Sequence, residues 1–176
     1  MLHALPIFAL VAFSAAVAGV DWRLREIPNR LNLAGFALGA SLNLCVALLS
    51  MGVRGAGFAL LNISLGVIVG GGIAIALWRV GAFGGGDVKF LAAVGAYVGP
   101  LFTLQLTAYS LLLFVLTSLL VFARNKRLSS ALSASVAFMF KQRRERAEPL
   151  PAFELVPFGP AAFVGVCITA LGTLNS

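Results

Sequence analysis

A series of long, continuous apolar runs constrains this chain more than any other feature. The runs fall at about residues 2–20, 31–50, 58–78, 88–99, 101–123 and 155–174. A helix needs roughly 20 mostly apolar residues to cross a bilayer core about 30 Å thick. The runs do not alternate with polar residues as barrel strands do. The sequence therefore predicts an all-α polytopic membrane protein with about six transmembrane helices, the fourth being short and ended by the helix-breaking pair Gly99-Pro100.

The composition excludes a water-soluble globule. Hydrophobic residues make up 60% of the chain and charged residues only 11%, whereas soluble domains carry about 25% charged residues. The net charge of +7 does not indicate nucleic-acid binding, because the basic residues lie between apolar runs rather than along one polar face. Cys45 and Cys167 lie inside apolar runs without a CxxC pair, so we expect neither a zinc site nor a disulfide framework.

The distribution of Lys and Arg predicts the orientation in the membrane. In a six-span arrangement, the segments 21–30, 79–89 and 124–154 share one side, and they hold all of the 13 Lys and Arg residues except Arg54. The positive-inside rule makes this side cytoplasmic and places both termini outside. The sequence thus predicts one integral-membrane domain over residues 1–176 with a basic cytoplasmic loop at about 124–154. Within that loop, residues 128–140 are apolar but too short to span, as in an interfacial helix.

Glycines four residues apart occur in three of the apolar runs. Such pairs let helix backbones approach closely in lipid. The pairs are Gly35 and Gly39, Gly66 and Gly70, and Gly95 and Gly99. We expect them to pack helices within one bundle rather than to form a dimer interface.

The chain contains only two aspartates, Asp21 and Asp87, and both lie at the ends of apolar runs on the predicted cytoplasmic side. An ionisable residue at the membrane is unfavourable and is therefore a functional hypothesis by default. Each has a structural alternative. Asp87 follows Gly84-Gly85-Gly86 as a helix N-cap would, and Asp21 could be a solvated charge where a span ends. Their occurrence as a pair on one side favours a functional role.

Two carboxylates placed close together suit general acid–base chemistry. They cannot both ionise readily, so the pair shares a proton. The ionised member can deprotonate a water, and the protonated member can donate to a carbonyl oxygen or a leaving amine. The three glycines beside Asp87 leave room for a substrate backbone. They fit a phosphate cradle less well, because a carboxylate follows directly and the Walker spacing is absent.

The residues around the two aspartates form motifs with a known counterpart. Asp21 is followed after five residues by Ile27-Pro28-Asn29, and Asp87 lies in Gly84-Gly85-Gly86-Asp87-Val88-Lys89. In this order the sequence resembles the type IV prepilin leader peptidases, which are GxGD-type membrane aspartic peptidases. The segment Pro157-Phe158-Gly159-Pro160-Ala161 also resembles the final-helix element of that family.

The resemblance implies a role for each motif residue. Asp21 and Asp87 would be the catalytic pair. Gly84, Gly85 and Gly86 would shape the site, with Gly85 the most tolerant of alanine, and Lys89, Ile27, Pro28 and Asn29 would support it. No metal or organic cofactor is implied.

The resemblance also implies a substrate and a location. The expected partners are the lipid bilayer and prepilin or pseudopilin precursors, cut after a basic leader at the cytoplasmic face of the inner membrane. Only about ten residues join the first two runs, without the paired CxxC ligands of longer members. The chain therefore resembles the short, peptidase-only branch associated with tight-adherence (Flp-type) pili, and no methyltransferase activity is expected. The oligomeric state and a bacterial or archaeal substrate stay open.

Two other classes of function remain open from the residues alone. A proton-coupled transporter could use the two aspartates as a relay, and it would place carboxylates near the middle of the membrane within inverted repeats. A non-catalytic assembly factor could keep the fold without the reaction. The sequence favours the peptidase, with the transporter second.

Overall fold

The computed structural model describes residues 4–124 and 157–174, and every element within these two ranges is an α-helix. The helices are α1 (Leu5–Leu24), α2 (Asn29–Arg79), α3 (Gly85–Arg124) and α4 (Phe158–Leu174). The all-α prediction is confirmed for these ranges. The predicted interfacial helix at 128–140, and the predicted basic loop beyond Arg124, lie outside the described residues.

The helix α2 changes direction at Gly52, whose φ of 62° and ψ of −151° are not helical. Its first half contacts the first half of α3 in ascending order, since Asn32 contacts Gly86, and Asn43 further along contacts Ala96 and Tyr97. Its second half contacts the same part of α3 in descending order, in the pairs Asn62 with Gly99, Gly66 with Gly95, and Gly70 with Leu91. The two halves of α2 are therefore antiparallel.

The helix α3 is interrupted at Gly99, with φ 72° and ψ −175°, immediately before Pro100. This is the break that the sequence predicts. After it, the Phe114 ring lies 5.7 Å from the Phe158 ring at the start of α4, and the Phe158 ring lies 4.6 Å from Phe83 just before α3. The second half of α3 thus returns to the end from which the first half began.

Three of the helices are long and apolar enough to cross a membrane, as judged by length and composition, and α4 is a shorter apolar helix. The breaks at Gly52 and Gly99 divide the described helices into six segments that alternate in direction. Six transmembrane spans and outward-facing termini stay a prediction.

The core lies between α1, the first half of α3, and α4. Phe13 of α1 packs against the rings of Phe90 and Tyr97 of α3, with centroids 5.7 and 5.8 Å apart. The predicted packing role of the paired glycines is confirmed: a side chain at Gly66 would collide with the backbone of Gly95. Many large apolar side chains stay exposed on the outer surface, as on a helix bundle that faces lipid.

Candidate active site

Asp21 and Asp87 line one pocket of about 340 Å³. Asp21 lies in the last turn of α1 and Asp87 in the first turn of α3, so both lie at the same end of the bundle. The other lining residues belong to the two sequence motifs and the turn between α1 and α2: Arg25, Glu26, Ile27, Asn29, Gly84, Gly85, Gly86 and Lys89. The structure thus brings together every predicted site residue except Pro28.

Asp21 is buried, with 6% of its surface exposed. Its Oδ2 accepts a hydrogen bond of 2.7 Å from the backbone N–H of Gly159. Gly159 is the second residue of α4, where backbone N–H groups have no partner within the helix and favour a negative charge. Arg25 ends α1 in a left-handed conformation, φ 52°, and its N–H donates to the carbonyl of Asp21. Asp21 therefore connects α1 to α4, the first and last of the described helices.

Asp87 is half-buried and occupies the third position of α3. Its Oδ2 accepts a hydrogen bond of 2.9 Å from the backbone N–H of Gly84. The alternative that Asp87 is the helix N-cap is therefore wrong. Its carboxylate instead reaches back to the residue that precedes the helix, as the third residue of a capping box does.

The two carboxylates are held in equivalent ways. Each has one oxygen fixed by a backbone N–H, and within the described ranges the other oxygen of each accepts no hydrogen bond. The charge of Asp21 also acts electrostatically on Asp87. Each carboxylate therefore keeps an oxygen for a water or a substrate, while its position is set by the backbone.

The two motifs are joined by direct contacts. The Lys89 ammonium donates to the Asn29 side-chain oxygen at 2.5 Å. Ile27 is buried and packs against Gly86, where a Cβ would lie 3.1 Å from the Ile27 Cβ. These contacts hold the turn that follows α1 against the first turn of α3.

Pro28 is the N-cap of α2, because its carbonyl accepts the N–H groups of Leu31 and Asn32. Gly84 differs in detail from the sequence prediction. A Cβ at Gly84 would meet only the Asp87 carboxylate, at 3.5 Å, and one at Gly85 would meet nothing within 4 Å. Among the three glycines, only Gly86 is closely packed.

Comparison with known proteins supports the family resemblance that the two motifs indicate. The family model of the type IV leader peptidase family matches residues 8–125, a range that contains both aspartates. The chain belongs to the type IV leader peptidase family. No curated protein and no solved structure matches it. Membership in this family, together with the long apolar helices, identifies a membrane protein of a peptidase family.

Sequence reasoning missed two contacts around this pocket. The buried Asn32 side chain donates to the Gly86 carbonyl at 3.0 Å, and the signal for it is an amide side chain near the start of an apolar run. Gly159 lies in a motif noted in the sequence, but its hydrogen bond to Asp21 was not predicted. Gly159 also lies beyond the matched range, so its place in the site rests on this contact.

A metal site is not formed by the described residues. No group of three or more His, Cys, Asp and Glu within the two described ranges could hold an ion. Cys45 and Cys167 are both free thiols.

Proposed function

We propose that this member of the leader peptidase family is an aspartic endopeptidase of the inner membrane. It removes the basic leader from type IV prepilin-like precursors of the Flp type, at the cytoplasmic face. The observation that carries this proposal is the pairing of Asp21 and Asp87 in one pocket, each with one oxygen fixed by a backbone N–H. The family match supports peptidase activity.

The chemistry follows from a carboxylate pair that shares one proton. The ionised carboxylate takes a proton from a water molecule as the water oxygen attacks the scissile carbonyl carbon. The protonated carboxylate donates to the carbonyl oxygen, which gives a tetrahedral intermediate. A proton then passes to the leaving amine as the C–N bond breaks. The open space beside Gly85 leaves room for the substrate backbone on this side of the pocket.

The position of the pair argues against a proton relay. A relay through the bilayer needs ionisable groups within the membrane along the transport path. Asp21 and Asp87 instead lie at one end of the helix bundle. The chain has no further aspartate.

The test is a cleavage experiment in cells. The chain is co-expressed with prepilin-like precursors encoded in the same genome, and the mass of each precursor is measured. Asp21→Asn and Asp87→Asn are compared with wild type. Glu26→Gln makes the same carboxyl-to-amide change at the pocket rim and is the matched control.

We expect wild type to remove the leader and each aspartate variant to leave the precursor intact. Glu26→Gln should retain cleavage within about tenfold of wild type. Membrane levels of all four proteins are measured alongside, so that loss of protein is distinguished from loss of chemistry. Cleavage that survives either aspartate substitution removes that residue from the catalytic pair.

A further inference from the structure

The two backbone N–H groups that hold the carboxylates each follow a buried phenylalanine. Phe83 immediately precedes Gly84, which donates to the carboxylate of α3. Phe158 immediately precedes Gly159, which donates to the carboxylate of α1. Only 6% of the surface of Phe83 and 4% of that of Phe158 is exposed. The same arrangement of buried ring and backbone donor therefore occurs at both members of the aspartate pair.

The two phenylalanine rings are packed against each other. The ring centroids of Phe83 and Phe158 lie 4.6 Å apart, and the ring planes are tilted by 49°. Aromatic rings attract each other at such a separation when they are not stacked face to face. The ring of Phe114 meets Phe158 edge-on at 5.7 Å. The ring pair thus joins the segment before α3 directly to the start of α4.

The end of α2 sets the position of Phe83. The N–H of Gly81, which has φ 77°, donates to the Trp78 carbonyl at 3.0 Å. The N–H of Ala82 donates to the Leu77 carbonyl at 2.9 Å. These two bonds around a left-handed glycine form a Schellman motif, which ends a helix and satisfies its last carbonyls. Phe83 follows this motif directly, so its backbone is held by the end of α2.

The start of α4 is held against α1 in the same region. Phe158 is the first residue of α4 and Gly159 the second. A Cβ built on Gly159 would lie 3.1 Å from the Ala18 Cα, so α4 has little room to approach α1 more closely. The contacts form one path from Asp21, through the start of α4 and the ring pair, to the segment that holds Asp87.

We propose that the packed rings of Phe83 and Phe158 set the separation of the two aspartates, and that both phenylalanines are positioning residues for cleavage. This inference rests on the proposed function. Two carboxylates share a proton only when they lie close together, and a displacement of about 1 Å at a catalytic group lowers the rate about 100-fold. Neither phenylalanine is among the residues that line the pocket. The rings therefore act through the carboxylates rather than by contact with the substrate.

The first measurement is the kinetics of precursor cleavage by Phe83→Leu, Phe158→Leu and the double variant, all reconstituted in lipid. We expect each single substitution to lower kcat by at least about tenfold and to leave KM within about threefold of wild type. The double variant should lose little more than either single variant, because each ring acts through the other. Phe13→Leu is the matched control and should retain kcat, since this ring is 7% exposed and packs against Phe90 and Tyr97 instead.

The second measurement does not depend on cleavage. Asp21→Cys and Asp87→Cys are combined in a background with Cys45→Ala and Cys167→Ala. The protein is then treated with dibromobimane, which fluoresces strongly only after it has joined two thiols. We expect either ring substitution to lower the yield of the fluorescent crosslink by at least about threefold, because joining two groups depends on their relative position. Phe13→Leu should leave the yield unchanged.

The outcomes separate this inference from the proposed function. Cleavage by wild type, with kcat or the crosslink unchanged in the ring variants, overturns the positioning role and leaves the peptidase standing. A crosslink that falls only in the ring variants, in a protein whose wild type cleaves no precursor, supports the positioning role and overturns the peptidase. Equal losses in Phe13→Leu overturn the positioning role, because they reflect loosening of the whole core. Absence of the crosslink while both rings are intact overturns the aspartate pair, and with it both proposals.

Discussion

The position of Asp21 depends on a residue without a side chain. A Cβ built on Gly159 would lie 2.9 Å from both the Cβ and the Oδ2 of Asp21, and 3.1 Å from the Ala18 Cα. These distances are too short for a methyl group, and two of the three atoms belong to the packed body of α1. Glycine at this position therefore brings the N–H of α4 within hydrogen-bond distance of the carboxylate.

We predict that Gly159→Ala lowers the cleavage rate by about 100-fold, because displacement of a catalytic group by about 1 Å has an effect of this size. The readout is kcat for cleavage by the protein reconstituted in lipid. Gly172→Ala, on the same helix with nothing within 4 Å of the added methyl, is the matched control and should retain the wild-type rate. Equal rates for the two variants would contradict the role of Gly159.

The glycines before Asp87 give a second comparison. We predict that Gly86→Ala lowers kcat more than Gly85→Ala, by at least about tenfold. A methyl at Gly86 presses on Ile27, whereas one at Gly85 meets nothing. The measurement is the rate of precursor cleavage by the two variants at equal membrane levels. A larger loss of kcat with Gly85→Ala would contradict this prediction. It would show that room for the substrate, rather than contact with Ile27, decides where alanine is accepted.

The aspartates could be predicted from the sequence, but their partners could not. Asp21 and Asp87 stand out because ionisable residues are rare in apolar segments. The contact of Asp21 with Gly159 joins residues 138 positions apart, and that of Asn32 with Gly86 joins residues 54 positions apart. Such contacts depend on how the helices pack, which apolar periodicity in one run does not specify.

At the scale of the helices, the sequence predicts the break at Gly99 in α3 but not the form of the break at Gly52 in α2. Gly99-Pro100 is a clear signal, because proline removes a backbone N–H and hinders the preceding turn. Residues 51–57 separate two of the predicted apolar runs. In the structure they are helical except at Gly52, since a single glycine with positive φ is enough to reverse the chain.

Asn43 compensates for the break in α3. In an unbroken helix the Ala96 carbonyl would accept from the N–H of residue 100, but Pro100 has none. The Asn43 side chain donates to the carbonyls of Ala96 and Tyr97, at 2.7 and 2.6 Å. A polar side chain within the second apolar run thus satisfies backbone groups that the proline leaves free.

We predict that Asn43→Leu destabilises the fold by about 1–3 kcal/mol, because it leaves these carbonyls without a donor. Thermal unfolding in detergent measures the effect. Cys45→Ala, two residues further along α2 at an exposed position, is the control and should leave the unfolding temperature nearly unchanged. An Asn43→Leu protein as stable as the control would contradict this interpretation.

Across the whole molecule, the alternation of helix directions places the pocket of Asp21 and Asp87 at the end of the bundle opposite the start of α1 and the end of α4. A cavity of about 190 Å³ at the far end is lined by residues from the start of α1, the break in α3 and the end of α4, among them Pro6, Phe102 and Ala170. Arg54, the one basic residue that the sequence assigns to this side, follows the reversal at Gly52. The distribution of basic residues and the packing of the helices thus place the same segments at each end of the helix bundle.

We predict that Glu26→Cys and Arg54→Cys lie on opposite sides of the membrane. In a background with Cys45→Ala and Cys167→Ala, a membrane-impermeant maleimide should label the Arg54→Cys protein in intact spheroplasts. It should label the Glu26→Cys protein only after permeabilisation. Labelling of both cysteines from the same side would contradict the alternating spans, and the reverse pattern would contradict the predicted orientation.

We propose that Asp21 and Asp87 act as one hydrolytic unit. The most direct test is kcat/KM for precursor cleavage by purified wild type, Asp21→Asn, Asp87→Asn and the double variant, all in the same lipid. Groups that act together lose activity non-additively. We predict that each single substitution lowers kcat/KM by at least about 1,000-fold and that the double variant is no worse than the single variants. A single variant within about tenfold of wild type, or losses that multiply in the double variant, would contradict the claim.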